Sequence, residues 1–146
     1  MIRDPSMSID LLEIISEEMF AYGVEVDNGG SVDVSGPPVR LLPQNAETLG
    51  LVIHELATNA VKYGALSTQA GRIAITWERR EEQGESWLDF TWEETGASVD
   101  PIGSGDFGFG MELLQKAIPR TLGGRTSLDF RSDGLRCRIE IPLRTP

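Results

Sequence analysis

Two alternating runs separated by a short polar turn constrain the fold most. They are "GRIAITWER" at 71–79 and "SWLDFTWE" at 86–93, with Gln83-Gly84 between them. In the first, Ile73, Ile75 and Trp77 recur at every second residue. In the second, Trp87, Asp89 and Thr91 alternate with Leu88, Phe90 and Trp92. A period of two sends alternate side chains to opposite faces of a strand, so the two runs predict a β-hairpin. The tail "RTSLDFRSDGLRCRIEIPL", 125–143, predicts another around Asp133-Gly134, and "VEVDNGGSVDV", 24–34, predicts two short strands around Asn28-Gly29-Gly30. Pro37-Pro38 keeps the following stretch extended. Hairpins join sequence neighbours, so the sheet is expected to be mostly antiparallel.

Such a sheet has one apolar face to cover, and helices supply the cover. Residues 8–21, "SIDLLEIISEEMFA", place Ile9, Leu12, Ile15, Met19 and Phe20 near helical spacing, with Ser8 as the expected cap and Gly23 as the stop. A longer helix is predicted over 44–64 and a short one from about Phe109 to Ile118, where Pro119 ends or kinks it. The expected class is α+β, a two-layer sandwich with helices on one face of a mixed, mostly antiparallel sheet. The 146 residues suit one domain, with residues 1–7 as a flexible extension ahead of it.

Bulk properties exclude several roles. The net charge of −10 argues against nucleic-acid binding and against contact with an anionic membrane surface. The one cysteine, Cys137, cannot form an internal disulfide or a cysteine-rich zinc site. The one histidine, His54, excludes a multi-histidine metal site. No run has the length of a membrane span and the N-terminus lacks a signal-peptide core, so a reducing cytoplasm is the expected setting.

The stretch "LGLVIHELATNAVKYGAL", 49–66, carries the first chemical signal. With about 100° per residue, Val52, Ile53, Leu56, Ala60 and Tyr63 fall within roughly 60° of Leu49 and form a core face. Glu55, Asn59 and Lys62 line up about 120° to one side, and His54, Thr58 and Val61 about 120° to the other. Charges on such a helix are usually only solvated. Asn is a poor helix former, however, and needs a reason to sit mid-helix. A carboxylate, an amide and an ammonium in one line offer an acid/base group, a hard oxygen ligand and a phosphate partner. Magnesium keeps several waters and shares phosphate oxygens with its substrate, so a single Asn oxygen suffices as the protein's ligand. A second signal is "GSGDFGFGMELL", with Gly103, Gly105, Gly108 and Gly110 ahead of a helix. Small residues let backbone N–H groups approach a phosphate. Alone, that stretch is equally a surface loop. No Gly-Lys-Ser/Thr follows it, and no strand–helix alternation of a dinucleotide fold surrounds it.

Taken together, the motifs carry a resemblance. "HELATNAVKYGALS" resembles the N box of the ATPase domain shared by sensor histidine kinases, gyrase-type ATPases and the heat-shock chaperone. "WEETG" at 92–96 and "GFGMELL" at 108–114 are similar to its two glycine boxes. The pattern is nearest to the HWE subfamily of histidine kinases, named for an N-box His and a Trp-x-Glu motif, here His54 and Trp92-Glu93-Glu94. The resemblance spans roughly residues 9–143 and implies a Bergerat-type fold binding ATP with Mg2+. It implies Glu55 as base or water-orienting group, Asn59 as magnesium ligand and Lys62 near the phosphates. It implies Glu94 as the reader of the adenine amino group, with Gly96 letting the base approach. Gly108, Gly110 and Met111 belong to the phosphate-wrapping loop, and residues 95–108 to a mobile lid. Tyr63, though on the core face, has a hydroxyl that could reach the nucleotide. For Trp92 and Cys137 a core role is expected, and for His54 an orienting hydrogen bond or packing role.

Two departures from the family pattern stand out. Glu94 replaces the commoner Asp, and Ser98 stands near the place of a glycine. No Lys or Arg occurs between Arg80 and Lys116, while Asp100 and Asp106 fall in the lid, so weak nucleotide affinity is expected. The resemblance implies transfer of the γ-phosphoryl group of ATP to a histidine on a separate dimerisation domain of a longer chain, then to a response-regulator receiver domain. The isolated domain is expected to be monomeric and inactive alone. Alternative expectations are a stand-alone ATPase in which Glu55 activates water, a nucleotide-binding regulatory module with little turnover, or a degenerate interaction domain.

Overall fold

The computed structural model describes residues 8–24, 30–97 and 115–143. Strands β1 (Ile9–Asp10), β2 (Val32–Ser35), β3 (Arg40–Leu41), β4 (Arg72–Glu82), β5 (Glu85–Thr95), β6 (Arg125–Arg131) and β7 (Gly134–Pro142) accompany helices α1 (Leu11–Phe20) and α2 (Pro43–Tyr63). Five strands form one sheet in the order β2-β4-β5-β7-β6, and β1 pairs with β3 separately. The β4–β5 hairpin is in register from Glu82↔Glu85 to Arg72↔Thr95. Its turn residues, Gln83 and Gly84, both have positive φ, as the strand twist demands of a two-residue hairpin. The closing hairpin turns one residue earlier than expected, at 132–133, with Gly134 already paired to Arg131.

Of the stretch expected to give two short strands around Asn28-Gly29-Gly30, residues 25–29 lie outside the described residues, while Val32–Ser35 is a strand. It runs parallel to β4, from Val32↔Ile73 to Ser35↔Thr76. The reason is topological: α2 crosses over between β2 and β4, and a crossover connection yields a parallel pair. The sheet is therefore mixed, with its other three ladders antiparallel.

Alternation divides the sheet as the sequence requires. Ile73, Ile75, Trp77, Leu88, Phe90, Trp92, Leu135, Cys137, Ile139 and Ile141 are buried on one face. Leu11, Ile15, Met19, Leu49, Ile53, Leu56 and Ala60 of the helices complete that core. The opposite face is polar. There Arg80 pairs with Glu82 and Asp89, and the ring of Trp87 lies 5.2 Å from both the Arg80 and the Arg125 guanidinium.

The helix ends differ from the reading in detail. Asp10, not Ser8, caps α1 by accepting from the Leu12 amide, because the chain at Ser8 is engaged by Arg40. Gly23, with φ 73°, closes the turn after α1 as expected. Of the short third helix, residues 109–114 lie outside the described residues. Residues 115–117 are helical, and the chain widens at Pro119 into a π turn, Ile118–Leu122. α1 and α2 lie side by side in the same direction. Ile14 meets Gly50, Glu18 meets His54 and Tyr22 meets Thr58, a constant offset of 36 residues.

Candidate functional site

Only two polar or charged residues are buried among the described residues: Asn59, 6% exposed, and Glu94, 3% exposed. Both belong to the predicted site. Asn59 lies on the edge of the α2 core face, where the helical repeat turns it partly inward. Its Nδ2 is buried without a hydrogen-bond partner among the described residues. An orphaned buried amide costs its full desolvation, so the group calls for a partner such as a water, an ion or a ligand. The amide offers oxygen from one end and N–H from the other, which suits a hard cation and its attached oxygens.

Glu94 ends the inward row of β5, Leu88-Phe90-Trp92-Glu94, and reaches under the end of α2. Its Oε1 accepts from the Ala65 backbone N–H at 2.8 Å, and its Oε2 from the Trp92 indole N–H at 2.9 Å. Burial pushes the Glu94 carboxyl above its usual range, and the two donors pull partly against that shift. Glycines make room for this arrangement. A Cβ on Gly64 would stand 2.2 Å from Glu94 Oε1, and one on Gly96 would stand 2.3 Å from the Ala70 carbonyl oxygen. Gly96 also has φ 78°, which a side chain rarely adopts.

The rest of the stripe is graded by exposure. Glu55 is half-buried, Lys62 is exposed in the last turn of α2, and Tyr63 is half-buried against the core. The structure thus aligns Glu55, Asn59 and Lys62 along one helix whose end rests on Glu94. Gly108, Gly110, Met111, Ser98 and the lid from residue 98 onward lie outside the described residues. Trp92 and Cys137 are core residues, as expected, and stand opposite each other in the β5–β7 ladder. His54 faces away from the stripe and bonds Glu18.

Sequence reasoning missed three participants. The Ala65 N–H is a backbone group with no sequence signature. Gly64 reads simply as a helix stop. The Trp92 N–H was hidden by the apolar expectation for that residue, although Trp-x-Glu spacing does place both side chains on one strand face.

No family model matches the chain. A blue-light-activated histidine kinase of Erythrobacter litoralis is 40% identical over 121 residues, 79% of this chain and 31% of that protein. The histidine kinase domain of Erythrobacter litoralis EL346 superposes with a TM-score of 0.65 over 91% of this chain and 59% of that one. The chain belongs to the catalytic domains of histidine kinases. The blue-light-activated histidine kinase of Brucella ovis is 34% identical over 112 residues, 77% of this chain and 23% of that protein. The chain spans about a third or less of these relatives' length. The catalytic domain of histidine kinase ThkA shares the fold, with a TM-score of 0.64 at 18% identity, covering 93% of this chain and 94% of that one. EL346 is only 21% identical in structure-based comparison and likewise speaks for the fold. Among the described residues no helix is long and apolar enough to cross a membrane.

Proposed function

We propose that this catalytic domain binds ATP with Mg2+ and donates its γ-phosphoryl group to a histidine on a dimerisation domain of a longer parent chain. From there the phosphoryl group passes to an aspartate of a response-regulator receiver domain, in the cytoplasm. One observation carries the reading: the two polar residues buried among the described residues are Asn59, in the second half of α2, and Glu94, bonded to the Ala65 amide just past the end of that helix.

Each residue has a part that its chemistry allows. Glu94 accepts from the exocyclic amino group of adenine through lone pairs that Ala65 and Trp92 leave unused. Gly96 keeps the backbone bare where the base enters. Asn59 contributes the amide oxygen to the cation, and Lys62, one turn on, faces the phosphates. A bound magnesium ion would supply charge neutralisation of the transferring phosphoryl group. Glu55, half-buried beside Asn59, orients the accepting imidazole and takes its proton. Phosphoryl transfer of this kind rests on positioning and charge more than on covalent chemistry by the protein.

The test joins the chain to a histidine-bearing helical hairpin from its parent protein and follows labelled phosphate from ATP. Transfer to the histidine that Glu55→Gln slows, with ATP binding intact, is the expected result. Release of inorganic phosphate without labelling of the histidine would make the domain an ATPase instead.

A further inference from the structure

Glu94 carries a long side chain whose rotatable bonds would ordinarily let its carboxylate swing. Here both oxygens are tied. The Ala65 amide holds Oε1 from the helix side, and the Trp92 indole holds Oε2 from the strand. The two residues are i and i+2 on β5, so their side chains stand together on its inward face. The indole cannot drift, because Trp92 is fully buried among core side chains, with Cys137 opposite it on β7. Gly64 leaves the space the carboxylate occupies. A carboxylate oxygen can accept twice, so one acceptor direction per oxygen stays open after both donors are satisfied.

We propose that Trp92 is the positioning residue for adenine recognition: its indole N–H fixes the Glu94 carboxylate so that the open acceptor directions meet the exocyclic amino group of the base. The Trp and Glu of the Trp-x-Glu motif then act as one unit. The longer Glu is explained as well. Its extra methylene spans from the strand to the Ala65 amide, and Trp92 supplies the rigidity that a shorter Asp would have by itself. The inference rests on the reading of Glu94 as the base contact.

The experiment measures binding of ATP and of purine riboside triphosphate, which lacks the amino group, to the 146-residue chain with magnesium. Three forms are compared: the unsubstituted chain, Trp92→Phe, and a chain carrying β-(3-benzothienyl)alanine at position 92. The last keeps the shape of Trp but has sulfur in place of N–H, which guards against a folding failure of the Phe variant. The unsubstituted chain is expected to prefer ATP, and losing one hydrogen bond to a charged group should shrink that preference by roughly tenfold or more. Affinity for the purine riboside nucleotide should stay unchanged, whereas a merely structural role would weaken both nucleotides alike. A preference that survives both substitutions overturns the assignment of Trp92 alone. An unsubstituted chain that does not distinguish the two nucleotides removes the Glu94 base contact, and this inference with it.

Discussion

His54 Nδ1 lies 3.0 Å from Glu18 Oε2 and so fastens α2 to α1, on the flank of α2 opposite the Glu55 stripe. The Tyr22 hydroxyl and Thr58 make the next contact along the same seam, one helical turn on. The side chains of the pair are 46% and 28% exposed, so their hydrogen bond competes with solvent. His54→Ala should therefore cost no more than about 1 kcal/mol and leave nucleotide affinity unchanged. Urea denaturation and an ATP titration on the same protein check this. A drop in affinity at constant stability would place His54 in the nucleotide site.

Asn59 should behave in the opposite way. Its Nδ2, in a helix interior, is a buried donor without a hydrogen-bond partner among the described residues. Replacing Asn with Ala removes that desolvation cost and improves helix propensity, so the chain without nucleotide should be stabilised by about 1 kcal/mol. Magnesium-dependent ATP binding should vanish in the same variant. Stability gained with function lost is the signature of a residue kept for a ligand. Destabilisation would make Asn59 a structural residue.

The contrast between these two helix residues shows what could be read from sequence. Hydrophobic period fixed the α2 core face and the two long hairpins, since alternation at Ile73, Ile75 and Trp77 leaves one way to bury them. The same period put Asn59 beside the core but could not say that it would be buried, because burial depends on what packs against the helix edge. The parallel β2–β4 pairing was not legible, since it depends on where α2 carries the chain. The Glu94 clamp was half legible. The motif named the Glu, while its donors are an indole read as core and a backbone amide that no side chain announces.

Glu94 should make stability depend on pH with a defined sign. Burial raises its native pKa above the usual 4.5. Below 4.5 the group is protonated in both folded and unfolded chains and adds no difference. As pH rises through 4.5 toward the native value, the unfolded chain releases its proton first, so ionisation favours unfolding. Above the native value the penalty is complete. Glu94→Gln cannot ionise, and it offers one acceptor where Glu offers two, which lowers its stability by a pH-independent amount. The stability of the unsubstituted chain minus that of the variant should therefore fall as pH rises through this window and then level off. Urea midpoints measured at a series of pH values test it, and a difference that rises with pH would reverse the assignment.

Cys137 gives a chemical readout of the same interior. Burial, with a smaller contribution from the Glu94 charge, pushes its thiol from 9.0 up to about 12. The difference, 12 − 9.0, means roughly a thousandfold less thiolate at pH 8 than a free cysteine carries. The thiolate is the reactive form, so the folded chain should resist alkylation. Modification should appear in urea and follow the unfolding curve. In Glu94→Gln the neighbouring charge is gone, so the native thiol pKa should fall somewhat toward its ordinary value, yet burial still dominates and protection should persist. Rapid labelling of the native chain would mean that β7 opens beside Glu94 on its own, and the clamp would then lack the rigid wall against which Trp92 holds the carboxylate.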